Sequence, residues 1–506
     1  MDSFLLALSN LSSGWVILSA FAGVLWGIFG GALPGISPSI AMALLLPFTV
    51  GMEATNALVL LASVYVGAEY GGSIPAILIR TPGTNSASAT VIDGNEMAKR
   101  GQAGEALGIS LMSGLYGGLF GLLVLVLCTE SLAQVALAFT PAAYFSLGIL
   151  GLSVIAGLSG GSLLRGLIAA CMGLMVAFIG SDPVSGVQRF TFGSVDLLDG
   201  VKPILVMVGL FAVTEMLVQI GEPPWARGHT GSTRLKLPNW AMSKRLFKPQ
   251  AIGAAIGTFE GVTPGAGGTV AAFMAYTEAK RWSKHPEEFG KGSPEGVAAP
   301  ESANNVVTAT ALVPLLSLGI PGSNSAAILL GGFLIHGLQP GPMLFQKAPE
   351  VVYGLYGGLL IANIAMFLIG LVILSPCMWL VNRPKPYLIA FILALVMSGV
   401  FAIQQSLFDC ALVLLIGVLG YAMRLLKIPV LPMVLGMVLG FMVESNYRRS
   451  LLISGGEHSI FVTDTASAIL LGLSALLSAY SLWKEISERR KSAKGANTKI
   501  TKQDRP

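Results

Sequence analysis

Apolar segments close to 20 residues long follow one another along most of this chain, separated by short stretches rich in glycine and proline. A helix needs about 20 such residues to cross the hydrocarbon core of a bilayer. Only 11% of the residues are charged, against about 25% in soluble domains, so a water-soluble fold would lack the polar side chains to cover its surface. The pattern predicts an all-α, polytopic transmembrane helical bundle in a lipid bilayer.

Positive charge is concentrated in two segments outside the apolar ones. The first contains Arg227, Arg234, Lys236, Lys244, Arg245 and Lys248, and the second contains Lys484, Arg489, Arg490, Lys491, Lys494, Lys499, Lys502 and Arg505. Basic loops beside membrane spans stay in the cytoplasm, so we expect a cytoplasmic linker at 226–250 and a cytoplasmic C-terminal tail at 484–506. Nucleic-acid binding is not expected, because no folded basic module accompanies the tail.

Three motifs recur in the same order in both halves of the chain. The first motif is GIFGGALPG at 27–35 and GTFEGVTPG at 257–265, with five of nine positions identical. The second is PGTNSA at 82–87 and PGSNSA at 321–326, with five of six identical. The third is GLYGGL at both 114–119 and 354–359. The near-constant offsets of 230, 239 and 240 residues argue against chance. We expect an internal duplication, with a first transmembrane repeat at 1–225 and a second repeat, with further spans, at 251–483.

The basic loops indicate how the two repeats are oriented. In the first half Lys99 and Arg100 follow the second motif, whereas in the second half the charged loop at 280–291 precedes it. If both loops face the cytoplasm, the repeats are inverted relative to each other. The sequence thus predicts two inverted repeats with re-entrant or broken helices.

The repeated Pro-Gly-(Thr/Ser)-Asn-Ser element lies inside an apolar stretch, where unpaired backbone groups are costly. Proline and glycine end a helix there, and the residues that follow are good N-caps for a new half-helix. The free N–H groups of a half-helix N-terminus attract a carboxylate. The alternative is that these small residues only let helices pack closely. The candidate substrate-binding residues are Thr84, Asn85, Ser86, Ser323, Asn324 and Ser325.

The first motif of each repeat carries a second pair of chain breaks. Freed carbonyl groups and nearby hydroxyls at such breaks are suitable ligands for a cation such as Na⁺. Ordinary loop turns between two short helices explain the same residues equally well. The candidate helix-break and cation residues are Pro34, Gly35, Ser37, Ser39, Pro264, Gly265, Gly267, Gly268 and Thr269.

Ionisable residues at membrane depth are few, so each is a candidate for function. Arg80 precedes the first Pro-Gly pair, and it either contacts a substrate carboxylate or anchors the hairpin at the cytoplasmic surface. Glu69 and Glu260 are candidates for binding a coupling proton or Na⁺. The alternative is that they only form hydrogen bonds with buried backbone groups or water. Three polar residues lie ahead of the second Pro-Gly pair, and we expect them to face the polar cavity at the chain breaks: Glu301, Asn304 and Asn305.

Motifs of other functional classes are missing. No phosphate-binding loop, metalloprotease, serine-hydrolase or nicotinamide motif occurs in a credible setting, so we expect no enzyme activity and no cofactor beyond a coupling ion. A membrane enzyme acting on a lipid-linked substrate would need convergent acid–base or metal-binding groups. A passive channel would show rings of charge or filter carbonyls.

At these residues the sequence resembles the large membrane subunit of the tripartite tricarboxylate transporters, the TctA-like permeases. The resemblance extends from about residue 14 to residue 480, and its most specific stretches are 71–85 with Asp93-Gly94, 257–268 and 300–325. It implies import of small di- or tricarboxylates across a bacterial inner membrane, driven by a Na⁺ or H⁺ gradient. It also implies two partners, a small membrane subunit and a periplasmic solute-binding protein. The paired Asn-Ser elements are also similar to the Ser-Asn-Thr tips of divalent anion–sodium symporters, which suggests an elevator-like motion.

Overall fold

The computed structural model describes residues 13–158, 162–182, 186–221, 234–263, 267–381 and 385–503. Part of the predicted linker (226–233) and the end of the predicted tail (504–506) lie outside the described residues. Most of the described chain is helical, which confirms the predicted all-α class. The described strands are β1 (Gly180–Ser181) and β2 (Gln188–Arg189), which pair antiparallel.

The helices of the first half are α1 (Gly14–Ala32), α2 (Pro38–Leu45), α3 (Ala54–Ile79), α4 (Ser88–Lys99), α5 (Ala103–Leu137), α6 (Pro141–Leu158), α7 (Leu163–Ala177) and α8 (Pro203–Gly221). Those of the second half are α9 (Trp240–Val262), α10 (Gly267–Trp282), α11 (Pro294–Thr310), α12 (Leu312–Leu318), α13 (Asn324–Ile335), α14 (Leu344–Lys347) and α15 (Pro349–Gly370). The remaining helices are α16 (Leu374–Val381), α17 (Lys385–Gln404), α18 (Leu407–Leu425), α19 (Leu431–Ile453), α20 (Ile460–Thr463) and α21 (Thr465–Gln503).

Eight helices within the described residues are long and apolar enough to cross a membrane. They are α1, α3, α5, α8, α15, α17, α18 and the first part of α21. Large apolar side chains such as Leu123, Phe391 and Leu415 are exposed on them, as expected for surfaces that contact lipid. The chain is therefore a multi-pass membrane protein.

The described chain forms two compact units. The larger unit comprises the described residues up to Leu137 together with Ile204–Tyr421, and the smaller unit comprises Ala138–Pro203 together with the described residues from Ala422 onward. Each of the two predicted repeats, 1–225 and 251–483, contributes residues to both units. All three duplicated motifs lie in the larger unit.

In the smaller unit, α19 packs against α6 and α7, and α21 packs against α6. Ion pairs fasten the β-hairpin to α19: Arg189 bonds Asp182 and Glu444, and Arg448 bonds the same two carboxylates. Because Asp182 is buried, its two guanidinium partners offset the cost of removing the charge from water.

In the larger unit, the duplicated segments pack in the same way. A Cβ atom on Gly27 of α1 would collide with the carbonyl oxygen of Val64 in α3. In the second half, a Cβ atom on Gly257 of α9 would collide with the carbonyl oxygen of Ala303 in α11. Gly27 and Gly257 are 230 residues apart, and Val64 and Ala303 are 239 residues apart, which are the offsets of the duplicated motifs. Equivalent residues therefore make equivalent backbone contacts in the two halves.

Contacts between the two repeats establish their relative orientation. The last turns of α4 lie beside the loop that precedes α11, where Asp93 accepts hydrogen bonds from the N–H groups of Gly290 and Gly292. Conversely, the C-terminal half of α13 lies beside the turn that precedes α3, where a Cβ atom on Gly331 or Gly332 would lie 3.6–3.7 Å from the side chain of Leu46. Because α4 also lies beside the end of α3, the end of α3 and the start of its equivalent α11 are on the same side, so the two helices run in opposite directions as in inverted repeats.

Candidate functional site

The first Pro-Gly element forms a re-entrant tip. Helix α3 ends at Ile79, and the chain then turns back until the N–H of Gly83 donates to the carbonyl oxygen of Gly72 at 3.0 Å. Helix α4 starts from this depth and runs back toward the end of α3, so Asn95 Nδ2 lies 2.9 Å from the carbonyl oxygen of Ile77. The N-terminus of α4 is thereby placed inside the bundle, as the sequence predicted for a half-helix.

The second Pro-Gly element repeats this construction. The N–H of Gly322 donates to the carbonyl oxygen of Ala311 at 3.2 Å. Both residues lie 239 positions after Gly83 and Gly72, so the two bonds are equivalent. The Ser323 hydroxyl caps α13 by accepting from the N–H of Ala326 at 3.1 Å. Both tips are therefore re-entrant half-helices built by one local design.

Glycine is required at each tip because the chain passes directly over another backbone. A Cβ atom on Gly83 would collide with the carbonyl oxygen of Gly31 in α1. A Cβ atom on Gly322 would lie 2.6 Å from the carbonyl oxygen of Gly261 in α9. A carbonyl oxygen of the backbone cannot move aside as a flexible side chain does, so each Pro-Gly pair fixes its tip against the first helix of its own repeat.

The two tips converge on one face of α3. Ser86, at the first tip, donates to the carboxylate of Glu69 at 2.6 Å. Ser323, at the second tip, shares a hydrogen bond of 3.3 Å with the hydroxyl of Tyr65. Residues 65 and 69 are one helical turn apart and on the same face of α3, so the first-tip Ser86 and the second-tip Ser323 are brought to neighbouring turns of one helix.

The two asparagines differ from their neighbours in exposure. Asn85 is exposed although Thr84 and Ser86 on either side are buried, and Asn324 is exposed between two buried serines. The second half-helix is capped by Ser323, and Thr84 accepts from the N–H of Ala87 at 3.4 Å in the corresponding way. Since neither asparagine is the capping residue, both carboxamides remain available to a ligand.

The second pair of breaks is described in part. Ser37 caps α2 by accepting from the N–H of Ile40, and its hydroxyl lies 2.8 Å from that of Ser39. Pro34 is buried, and Gly35 has a φ of +84° with the side chain of Gln219 against it. In the second repeat, Pro264 and Gly265 lie outside the described residues.

The N-terminus of α10 reaches the first tip. Gly267, with a φ of +71°, begins this helix, and Gly268 and Thr269 complete its first residues. A Cβ atom on Gly268 would lie 2.8 Å from Oδ1 of Asn304 and 3.7 Å from Cβ of Ser86. The predicted cation residues of the second repeat therefore adjoin the predicted substrate residues of the first.

Arg80 is placed away from this convergence, whereas Glu260 precedes Gly261, whose carbonyl oxygen lies against the second tip. Arg80 is exposed at the end of α3, near Glu96, and its distance along the helix from Gly72 is about 12 Å at 1.5 Å per residue. It has a φ of +58°, and its counterpart Gly319 has a φ of +77°. Glu260 is buried near the end of α9. The location of Arg80 favours the surface-anchor interpretation of this residue.

Sequence reasoning did not single out Tyr65. At the offset of 239 residues, Tyr65 of the first repeat corresponds to Asn304 of the second, and both lie near the tips. Tyr65 contacts the second tip, and Asn304 lies beside Glu69 near the first. The two residues therefore occupy equivalent places, although their side chains differ, and extension of the repeat beyond its identical motifs is the signal that leads to Tyr65.

Comparison with known proteins gives matches over most of the chain. The profile of the tripartite tricarboxylate transporter TctA family matches residues 17–435. An uncharacterized 52.8 kDa protein of the TAR-I ttuC′ 3′ region of Agrobacterium vitis is 36% identical over 496 residues, which cover 96% of this chain and 98% of that protein. A second protein, of the TAR-II ttuC′ 3′ region of Agrobacterium vitis, is 35% identical over 236 residues, which cover 46% of this chain and 97% of that protein. No solved structure matches.

Proposed function

We propose a function on the premise that this chain belongs to the tripartite tricarboxylate transporter TctA family. In this proposal the chain is the permease subunit of a binding-protein-dependent secondary transporter for small di- or tricarboxylates. Its role as a membrane permease of a transporter family follows from membership. The substrate class, the coupling and the identity of the partners are the proposed part.

The observation that carries the substrate proposal is the convergence of two half-helix N-termini on α3. Each tip presents an exposed asparagine, and the free N–H groups of a helix start carry about half a positive charge. One carboxylate group held by each tip accounts for a substrate with at least two carboxylates. Hydroxyl, amide and N–H donors recognise carboxylate geometry without fixing the rest of the molecule, so related acids can share the site.

Coupling to an ion gradient is the proposed source of energy. The sequence has no phosphate-binding loop, so ATP hydrolysis by this chain is not part of the proposal. Inverted repeats with broken helices at their interface are typical of alternating access in secondary transporters. The proposed setting is the bacterial inner membrane with the C-terminus in the cytoplasm, a small membrane subunit beside the permease, and a periplasmic solute-binding protein that delivers the carboxylate.

Uptake by reconstituted protein tests the proposal. The permease is inserted into liposomes with its small subunit, its binding protein is added outside, and labelled di- and tricarboxylates are offered under an imposed Na⁺ or pH gradient. We expect one or more carboxylates to accumulate above the external concentration and to be recovered unchanged. Equilibration without accumulation would indicate a channel, and chemical conversion of the substrate would indicate an enzyme.

A further inference from the structure

The two tips are equivalent in backbone but not in chemistry. The offset of 239 residues pairs Glu69, beside the first tip, with Thr308 in α11. The Thr308 hydroxyl donates to the carbonyl oxygen of Asn305 at 2.7 Å, so this position in the second repeat is neutral and internally satisfied. The carboxylate of Glu69 therefore gives the first tip a negative charge that the second tip lacks at the corresponding position.

Two carboxylates, Glu69 and Glu301, are buried in the helical core around the first tip, with exposures of 5% and 1%. Within the described part of the chain, neither carboxylate forms an ion pair with a lysine, an arginine or a histidine. An unpaired charge in such a place is expensive, so each carboxylate needs strong hydrogen bonds, a proton or a bound cation.

The two carboxylates differ in the number of hydrogen bonds that they accept. Glu301 accepts from three hydroxyls, those of Ser73 on α3, Thr90 on α4 and Ser110 on α5. Its oxygens are occupied, and it links four helices of the larger unit. Glu69 accepts one such bond of normal geometry, from Ser86, which lies 3.0 Å from the hydroxyl of Thr84, and the Thr84 hydroxyl and the Asn304 carboxamide lie close to the same carboxylate. Glu69 thus retains acceptor capacity that Glu301 has already used.

A second, independent feature lies next to Glu69. The carboxamide of Asn304 is only 2% exposed, and neither its oxygen nor its nitrogen has a hydrogen-bond partner of normal geometry. It lies beside the Glu69 carboxylate and against Gly268, which has no side chain to fill the space. A buried amide without partners is costly, so a ligand that engages its oxygen would relieve that cost.

We propose that Glu69, Ser86, Thr84 and Asn304 bind one Na⁺ ion at the first tip. One carboxylate balances a single positive charge, and hydroxyl and amide oxygens complete a set of hard oxygen ligands. A proton on Glu69 would remove the same charge and could be donated to the Asn304 oxygen, so the response of the folded protein to Na⁺ distinguishes the two occupants. A divalent cation would bring a net positive charge into the bilayer core that no second carboxylate with free oxygens offsets.

This site deepens the proposed function, on which it rests for the role of Na⁺ as the coupling ion. A cation at the first tip places positive charge next to the exposed Asn85, where a substrate carboxylate is expected. Attraction between the two would make each bind more tightly in the presence of the other, which is the linkage that a symporter requires. The binding of Na⁺ itself does not depend on any transport assumption.

Thermal unfolding of the purified full-length protein tests the site without substrate. The unfolding midpoint is measured as NaCl replaces KCl or choline chloride at constant ionic strength. We expect a saturating rise with Na⁺ alone, because a ligand that binds only the folded state stabilises it. Glu69→Gln should abolish the Na⁺-specific rise, and Asn304→Ala should raise the half-saturating Na⁺ concentration at least about tenfold.

Glu301→Gln is the matched control, because it changes the other buried acid, which has no free oxygen. We expect its midpoint to fall in every salt while the Na⁺-specific increment persists. If Glu69→Gln does not fold, Ser86→Ala and Asn304→Ala carry the test. Equal midpoints in Na⁺ and K⁺, or an unchanged Na⁺ increment in the site variants, would overturn the proposal. Proton-driven carboxylate uptake without a Na⁺ effect would refute this site alone, whereas a Na⁺-specific rise without uptake of any carboxylate would refute the proposed function alone.

Discussion

Tyr65 and Ser323, which are 258 residues apart in the sequence, share a hydrogen bond of 3.3 Å. The bond joins a helix of the first repeat to the re-entrant tip of the second. One turn further along the same helix, Glu69 receives the hydroxyl of Ser86 from the first tip. Helix α3 is therefore the place where the two copies of the motif meet.

Replacement of the two exposed asparagines tests the proposed anion site. Asn85→Ala and Asn324→Ala each remove one donor from a tip without disturbing its cap, so we expect normal membrane insertion and stability. The KM for carboxylate uptake should rise about 10- to 100-fold, since a hydrogen bond to a charged group contributes about 1.5–3 kcal/mol. Asn85→Asp and Asn324→Asp should have larger effects, because each places a negative charge beside the anion. Uptake kinetics in proteoliposomes with unchanged KM for both alanine variants would remove these residues from the site.

Replacement of the tip glycines tests whether the two repeats are built alike. Gly83→Ala and Gly322→Ala each push a methyl group into the carbonyl oxygen of the first helix of the same repeat, at Gly31 and Gly261. We expect both variants to be destabilised by about 1–3 kcal/mol, as for other overpacked sites, and to lose most uptake. Chemical unfolding in detergent gives the stability, and Gly14→Ala, with open space around it, is the control. A large effect at one tip with none at the other would contradict the equivalence.

Arg80 provides a test of backbone strain. It has a left-handed backbone, which glycine adopts freely and other residues adopt at a cost of about 1 kcal/mol. Arg80→Gly should therefore keep or slightly raise the unfolding midpoint, whereas Arg80→Ala retains the strain and removes only the charged side chain. Because Arg80 lies at the far end of α3, we expect the KM for uptake to change less than about threefold in both. A tenfold rise in KM for both variants would instead place the guanidinium on the substrate.

Asp93 is expected to hold the two repeats together at one end of the larger unit. Its buried carboxylate accepts the N–H groups of Gly290, Gly292 and Ser293 at 2.7–2.9 Å, and the hydroxyl of Tyr276 at 2.9 Å. Asp93→Ala leaves four donors without this partner, so we expect a loss of about 2–4 kcal/mol. Hydrogen exchange at residues 290–293 should increase strongly in this variant. Tyr276→Phe removes one bond, and it should cost about 1 kcal/mol with little change in that exchange.

Much of this architecture could be predicted from the sequence because it depends on local properties. Apolar segments long enough to cross a bilayer have few alternatives to helices, and Pro-Gly pairs inside them interrupt those helices wherever they pack. The duplication could also be recognised, since it survives as three motifs that recur in the same order, with five of nine, five of six and six of six positions identical. The inverted orientation followed from the positions of basic loops, which report the side of the membrane rather than any contact.

The capping of the half-helices shows where local reasoning stopped. Every hydroxyl and amide residue at the tips has a suitable chemistry for an N-cap, but the structure uses Ser323 to cap α13, whereas Thr84 accepts from the N–H of Ala87, just ahead of α4. That choice leaves Asn85 and Asn324 exposed. A cap depends on the dihedral angles at one position, and these are determined here by how the chain passes over the glycines of the first helix in each repeat.

The sequence alone therefore determined that this protein is a duplicated, inverted bundle of membrane helices with a broken helix in each repeat, because apolar length, chain breaks and charge placement act over a few residues. Only the tertiary structure decided which polar groups meet: that Tyr65 contacts the second tip, that Glu301 accepts three hydroxyls while Glu69 accepts one, and that the Asn304 oxygen has no partner. The physical reason is that a buried polar group is satisfied or left open by partners on other helices, often more than 200 residues away, as the 258-residue separation of Tyr65 and Ser323 illustrates.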